Sequence, residues 1–462
     1  DGLRSQALRR AARAACVLVQ GAAGSSGSGP ERSVGVFVAP NTFRPRLRVC
    51  RDVGACVGCA SCGVPCWLAR PTLRFRPNKS PARVMFGFPW IYSDDVILDR
   101  RTKKIAPGTF VKIQTNDKQD IGLIAFNGES KITGRIMDLD VNAIIDTNWI
   151  VKKLESAFAL RKTLYDAPFY RLIHAEADGL PGVIIDRFGD AFVVQPNAAW
   201  ADRMMPEITS ALEQLFSPKI ILKNASGRAR SLEGLNDENI FIKGSSDAPL
   251  EVKMNDAIYM ADISGGQKTG LFFDQRENHA FTAKLANGGS IIDVFSHVGG
   301  FSLAALSAGA TSAIAVDSSQ PALDLAIKGA DASGFSKSFS TRKGDAFEVM
   351  AQLFDEGERY QVVVCDPPAF APSKPALERG LRAYEKAAKM ASKLVKPGGY
   401  LVLCSCSHAA DMQKFRKASL VGMGKAGRKG QIIHSGSAGI DHPVHPHLAE
   451  SSYLKSIFLR LD

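Results

Sequence analysis

The chain has 462 residues, 45% of them hydrophobic and 23% charged, with a formal net charge of +12. That length exceeds what one hydrophobic core usually organises, so two or three domains are expected, and no apolar run approaches the ~18 residues of a membrane span. The charge excludes a uniformly basic nucleic-acid binder: residues 1–78 hold twelve Arg, no Lys and three acids, leaving only +3 for the remainder, where any basic surface must be local.

Residues 1–70 form a low-complexity extension rich in Ala, Arg, Gly and Ser, and disorder is expected there. LRSQALRRAARAA is Arg-rich and poor in acids, as a mitochondrial transit peptide is. If that reading is genuine, the protein belongs in an organelle; otherwise the expected location is the cytoplasm. Within CVGCASCGVPCW, Cys56, Cys59, Cys62 and Cys66 follow the C-x2-C-x2-C-x3-C spacing of bacterial ferredoxins, which suits iron–sulfur or zinc ligation. Trp67 stands where the ferredoxin run has Pro, no second run follows, and Cys16 and Cys50 are left over, so no metal is assigned.

Over 71–145, short β-rich runs such as GTFVKIQT, IGLIAFN and SKITGRIMDLD are punctuated by Pro-Gly, Asn-Asp and Asn-Gly, as in a small barrel. Residues 146–248 alternate helical and strand patterns, for example WIVKKLESAFALRKTLYD followed by HAEADGLPGVIIDRFGD, and predict a small α/β domain. Over 249–462 the pattern is doubly wound α/β. GSIIDVFSH, SAIAVD, STRKGD, YQVVVCDPP and GGYLVLCSC read as five strands, most separated by helices, and SYLKSIFLRL as a last strand. Apolar strands joined by crossover helices make a parallel sheet, with ligands beyond the strands' carboxyl ends.

The strand ends therefore carry the candidate chemistry. After the first strand, with Asp293 in it, DVFSHVGGF places Gly299 and Gly300 where the chain bends into a helix. Asp317, ending the second, is placed to accept hydrogen bonds from ribose hydroxyls, and Gly344-Asp345, ending the third, suits an adenine edge. Each aspartate alone could simply cap the following helix; their recurrence outlines a pocket for an adenosine-bearing cofactor without a pyrophosphate, and S-adenosylmethionine fits best. Asp366 in CDPPAF projects from a rigid two-proline turn, a pattern typical of methyltransferases acting on a planar nitrogen or a base. In LVLCSCSH, Cys404 and Cys406 face one side and Ser405 the other. Cys404 and Cys365 read as packing, whereas Cys406, at the strand's end beside the place expected for Asp366, is a candidate nucleophile.

These blocks, with GGQKTGLFFDQRENH, HAEADGLPG and ESSYLKSIF, are similar in order and content to the PUA-domain family of S-adenosylmethionine-dependent ribosomal RNA methyltransferases, of the bacterial large-subunit 5-methylcytosine type. The resemblance runs from about residue 72 to the end. It implies an α/β fold: an N-terminal PUA-like RNA-binding β-barrel, a small α/β domain and a C-terminal doubly wound, Rossmann-like methyltransferase sheet. It also implies that Lys268, Gly270, Asp274, Gln275 and Arg276 help close the cofactor site, and that Asp293, His297, Gly299, Asp317, Asp345 and Asp366 line it. Cys406 matches the family's S-C-S cysteine. Ala369 stands where two-cysteine RNA methyltransferases carry their second Cys, which leaves the proton-removing base open. Large-subunit ribosomal RNA is the implied partner, no membrane is involved, and a homodimer is left open, as is the nucleotide modified. Competing readings are an RNA base N-methyltransferase that needs no thiol, a non-catalytic RNA-binding protein, and an iron–sulfur carrier built on residues 50–66.

Overall fold

A computed structural model describes residues 70–265 and 270–462. Cys56, Cys59, Cys62, Cys66 and Lys268 lie outside the described residues. Among those described, no helix is long and apolar enough to cross a membrane.

The N-terminal sheet contains β1 (Thr72–Arg74), β2 (Trp90–Tyr92), β3 (Thr109–Gln114), β4 (Asp120–Phe126) and β5 (Ile132–Asp138), in the order β1-β3-β4-β5-β2. Its two edges meet. Arg76 N donates to Asp95 O and Ile97 N to Arg74 O, each at 2.9 Å, which ties the segment after β2 back to β1 and curls the sheet. The near-continuous apolar run of β4 has a physical reason: both faces are covered. Ile124 and Phe126 pack inside the curl with Val111 and Ile113, while Leu123 and Ala125 join a different core with Trp149 and Trp200.

Helix α1 (Thr147–Leu164) starts at Asp146, whose carboxylate accepts from Trp149 N at 2.8 Å as an N-cap. It lies on a second sheet of β6 (Phe169–His174), β7 (Val183–Phe188), β8 (Ala191–Pro196), β9 (Ile220–Lys223) and β10 (Ile240–Lys243), with α2 (Met205–Phe216) beside it. The opposite face, through Phe188, Val193 and Leu222, packs on the hairpin β11 (Leu250–Met254)/β12 (Ala257–Ala261) and on Phe273 and Leu303 of the C-terminal region.

The C-terminal sheet follows α3 (Arg276–Ala286). In chain order it contains β13 (Ser290–Val294), α4 (Gly300–Ser307), β14 (Ser312–Asp317), α5 (Gln320–Ala332), β15 (Phe339–Lys343) and α6 (Ala346–Asp355). It continues with β16 (Tyr360–Cys365), α7 (Leu377–Leu394), β17 (Val395–Ser405), α8 (Met412–Lys425), β18 (Gly430–Gly436) and β19 (Lys455–Leu461). The strand order is β15-β14-β13-β16-β17-β19-β18, with β19 antiparallel to both neighbours. Alternate residues feed two cores, Ile292, Val363 and Leu401 on one face and Ile291, Val364 and Val402 on the other. The chain leaves β13 toward β14 on one side, with β16 on the other, so β13/β16 is the topological switch point where such sheets bind ligands. Among the strands that escape the sequence reading are the hairpin β11/β12 and β18. β18 (GQIIHSG) is an exposed edge strand without the buried alternation that marks strands in sequence.

Candidate active site

Beyond β13 the backbone takes a left-handed conformation at Phe295 (φ 66°), His297 (φ 50°) and Gly299 (φ 78°). Two of the three are not glycine, and such positions hold only when neighbours over-determine them. Asp317, at the end of β14, does so: its carboxylate accepts from His297 N (2.9 Å) and Ser319 N (2.8 Å). The residue read as a ribose acceptor thus also anchors the turn. Asp345 is exposed and caps α6 through Phe347 N and Glu348 N. Gly270 closes a turn at φ 96°, where a Cβ would stand 2.6 Å from Asp262 O.

Asp293 is fully buried beneath this turn. Oδ2 accepts from Ser302 N and Oγ at 3.1 and 3.2 Å, while Oδ1 has no protein partner. Burial, resisted by the Ser302 hydrogen bonds and helped by the charge of Asp317, pushes its pKa up to about 7. The unfolded value is near ~4, so between about pH 4 and pH 7 the folded chain binds more protons here than the unfolded one. The stability contributed is complete below that window and is lost as pH rises through about 7. Melting temperatures recorded from pH 5 to pH 8 are expected to fall more steeply for the native chain than for Asp293→Asn. Parallel curves would show that the carboxyl titrates normally.

The next layer is built by segment 274–278. Gln275 Nε2 donates to Asp366 Oδ2 (2.8 Å), and Asn278 donates to Gln275 Oε1 (2.7 Å) and to Ser437 O (3.1 Å). Buried Asp274 accepts the hydroxyl proton of Tyr453. Burial and the Asp274 charge raise the Tyr453 pKa well above its ordinary value, so the phenol stays a donor. Arg276 turns the other way: its guanidinium lies 4.1 Å over the Tyr165 ring and donates to Phe169 O, fastening the segment to the second sheet.

Cys365 pairs with Leu403 in register, so Asp366 and Cys406 leave adjacent parallel strands at their carboxyl ends. Cys365 and Cys404 are buried, and burial first, then Asp366, raises both thiol pKa values. Cys406 is partly exposed. Its flanking serines are not. Ser405 Oγ donates to Tyr384 OH at 2.8 Å, Tyr384 OH lies 2.7 Å from Ser407 Oγ, and Ser407 Oγ accepts from Ala371 N at 2.9 Å. These buried hydroxyls join β17, α7 and the loop after Asp366, fixing the backbone on both sides of the cysteine. The Lys455 ammonium donates to Ser407 O and Tyr453 O, both at 2.7 Å. Burial lowers the Lys455 pKa, while the charges of Cys406 and Asp411 oppose that. A cation so placed reduces the cost of a thiolate.

The structure therefore brings Asp274, Gln275, Asp366 and Cys406 into one connected group, and Asp293, His297, Gly299 and Asp317 into a second beneath the same strand ends. Asn278, Tyr384, Ser405, Ser407, Tyr453 and Lys455 were missed by sequence reasoning. For Tyr453 and Lys455 the block ESSYLKSIF was a signal; Tyr384, in mid-helix, gave none.

Residues 210–418 match the family model of S-adenosylmethionine-dependent methyltransferases, and residues 78–139 match that of a PUA-like domain. A solved SAM-dependent methyltransferase from Streptococcus mutans superposes with a TM-score of 0.70 at 18% identity, over 84% of this chain and 100% of that one. A methyltransferase complexed with SAH gives a TM-score of 0.71 at 18% identity, covering 85% and 99%; both likenesses concern the fold. Ribosomal RNA large subunit methyltransferase I of Aeromonas salmonicida is 33% identical over 377 residues, 80% of this chain and 95% of that protein. Its counterpart in Aliivibrio fischeri is 34% identical over 378 residues, covering 81% and 95%. With that identity across nearly their whole length, and with the PUA-like domain preceding a methyltransferase sheet, the chain belongs to the ribosomal RNA large subunit methyltransferase I family.

Proposed function

We propose that this protein transfers a methyl group from S-adenosylmethionine to carbon 5 of a cytosine in large-subunit ribosomal RNA, through a transient covalent bond from Cys406. The observation that carries this reading is a partly exposed thiol between two immobilised serines, at the strand end adjacent to Asp366. The residues present fit the cofactor: a buried Asp293 oxygen lacks a protein partner beneath a left-handed turn, and Asp317 adds acceptors beside it. Asp293, His297, Gly299, Asp317 and Asp345 would hold it, with Lys268, Gly270, Asp274, Gln275 and Arg276 helping to close the site. When bound, S-adenosylmethionine supplies an electrophilic methyl group on a sulfonium.

The protein's own work is to make carbon 5 nucleophilic. Attack of the Cys406 thiolate on carbon 6 forms a C–S bond and moves electron density onto carbon 5. Asp366, protonated or hydrogen-bonded at ring nitrogen 3, stabilises the charge that develops, and Gln275 holds that carboxyl in place. Lys455 favours the thiolate at the start and again when the sulfur leaves. Loss of the carbon-5 proton and cleavage of the C–S bond restore the aromatic ring. The barrel over 71–145 would hold the RNA, with the methyl-transferring domain over 249–462.

The direct test is mass spectrometry of nucleosides from ribosomal RNA incubated with the protein and S-adenosylmethionine. 5-Methylcytidine is expected; a base methylated on nitrogen would instead support the thiol-free reading of the Asp-Pro-Pro turn. Tyr384→Phe, which removes the hydroxyl joining Ser405 and Ser407, is expected to slow turnover about 10- to 100-fold while leaving cofactor affinity unchanged. Calorimetric titration with S-adenosylhomocysteine beside single-turnover kinetics separates the two. Full activity in that variant would show that the network does not position the cysteine.

A further inference from the structure

We propose that the crevice between Trp90, the turn at 174–177 and the segment at 445–451 is a second nucleobase site, which takes an unpaired guanine of the RNA substrate. It rests on the RNA-modifying reading above but uses none of the residues assigned to methyl transfer. It gives a role to HAEADGLPG, the specific block that methyl transfer leaves unused.

The crevice has a volume of about 140 Å³ and is lined by Trp90, His174, Glu176, His445, Leu448 and Glu450, among others. A cavity of about 150 Å³ admits benzene, so this one has room for the leading edge of a planar base. A stacking surface leads into it. Trp90 and Tyr92 alternate onto one face of β2 and cluster with Phe88 at ring separations of 6.3–6.5 Å. The Arg83 guanidinium lies 4.5 Å over Phe88 and 5.1 Å over Tyr92, and Arg135 lies 5.9 Å over Trp90. Aromatic rings interleaved with arginine are how proteins hold unpaired nucleotides.

The polar groups select the base. The Glu176 side chain is only 8% exposed and is pinned by Trp90 Nε1 (2.7 Å) and Arg135 Nη1 (2.8 Å), both on Oε1. That geometry leaves Oε2 with neither bond. Glu450 adds a second carboxylate. An ionised carboxylate only accepts; with Oε1 taken by two donors, Oε2 and the Glu450 carboxylate remain, and guanine is the base whose adjacent ring N–H and amino group offer two donors side by side. Uracil offers a single ring N–H flanked by two carbonyls, so it satisfies one carboxylate and sets a carbonyl oxygen against the other. His445 Nδ1 accepts from His447 N (3.2 Å), so the neutral ring carries its proton on Nε2 and offers a donor for guanine's acceptor edge. His174 is held uncharged, its pKa pushed down to about 2 mainly by burial. Ala175, between His174 and Glu176, has φ 48°, a strained non-glycine conformation of the kind that collects at ligand sites. Ser451, also on the wall, is two residues from Tyr453, the partner of Asp274, so the bound base would flank the methylated one.

The test uses the full chain and fluorescently labelled oligoribonucleotides of equal length, all uridine except one position carrying guanosine, inosine or uridine. Fluorescence polarisation is expected to rank guanosine over uridine by about tenfold, with inosine, which lacks the amino group, between them. Glu176→Gln keeps an acceptor for Trp90 and Arg135 but loses the charge, and is expected to lose the preference. Exposed Glu450→Gln, which cannot disturb the core, is expected to reduce it. Equal affinities in the native chain, or an undiminished preference in Glu176→Gln, would overturn the proposal. Because ribosomal RNA methylation is assayed separately, a chain that methylates without preferring guanosine sinks this site alone.

Discussion

Cys406→Ala is expected to lower methyl transfer by a factor on the order of 10⁴ or more, the scale seen when a covalent nucleophile is removed, while S-adenosylmethionine binds with unchanged affinity. The reason is chemical. Without a sulfur bonded to carbon 6, carbon 5 of cytosine is too poor a nucleophile, and nothing else at the β17 terminus replaces it: Cys404 is buried, and its thiol pKa is raised well above the ordinary value. RNA containing 5-fluorocytidine supplies the complementary measurement, because fluorine cannot leave as the proton does. The native chain is expected to form a protein–RNA adduct that survives denaturing electrophoresis, and the alanine variant to form none. A variant that still methylates within tenfold of the native rate would remove the covalent route.

Arg161→Met is expected to give the largest loss of stability. The Arg161 guanidinium is fully buried and meets the Asp178 carboxylate with two hydrogen bonds of 2.6 and 2.7 Å, while two further donors reach Arg171 O and Asp441 O. Removing one partner of such a pair leaves an uncompensated charge, at a cost of about 3–5 kcal/mol. Thermal denaturation is expected to show a midpoint lowered by roughly 4–6 °C. Asp178→Asn in the same chain is expected to recover part of that loss, since it removes the orphaned charge. Arg161→Lys is expected to stay well below the native chain, because an ammonium cannot reproduce the forked contact. A midpoint unchanged in Arg161→Met would mean the pair contributes nothing net.

Much of this molecule was legible in its sequence because buried parallel strands have few disguises. The runs ending at Asp293, Asp317, Cys365 and Ser405 are apolar on both faces, and each becomes a central or near-central strand. β18 stayed hidden because an exposed edge has no face to pattern. The reading of Cys365 and Cys404 as packing, with Cys406 set apart at the strand's end, followed from depth along apolar strands and agrees with their burial. What strand patterns could not supply was support from distant segments. Asn278 orients Gln275 and Tyr384 clamps two serines, yet each is an unremarkable helix residue until the chain is folded. Asp317 and Arg276 make the same point differently, since each holds backbone of a distant segment.

The connection between β18 and β19 reaches well beyond its own sheet. Asp441 Oδ2 accepts from Arg171 N (2.8 Å), its Oδ1 lies 2.8 Å from His442 Nδ1, and its carbonyl takes Arg161, while Gly439 N donates to Asp274 O (2.8 Å). The boundary read near residue 248 therefore makes a poor place to cut. A recombinant fragment starting there would keep all seven strands of the C-terminal sheet yet strand a buried acid and its histidine in water, and the loosened connection would drag Tyr453 and Lys455 out of line with Cys406.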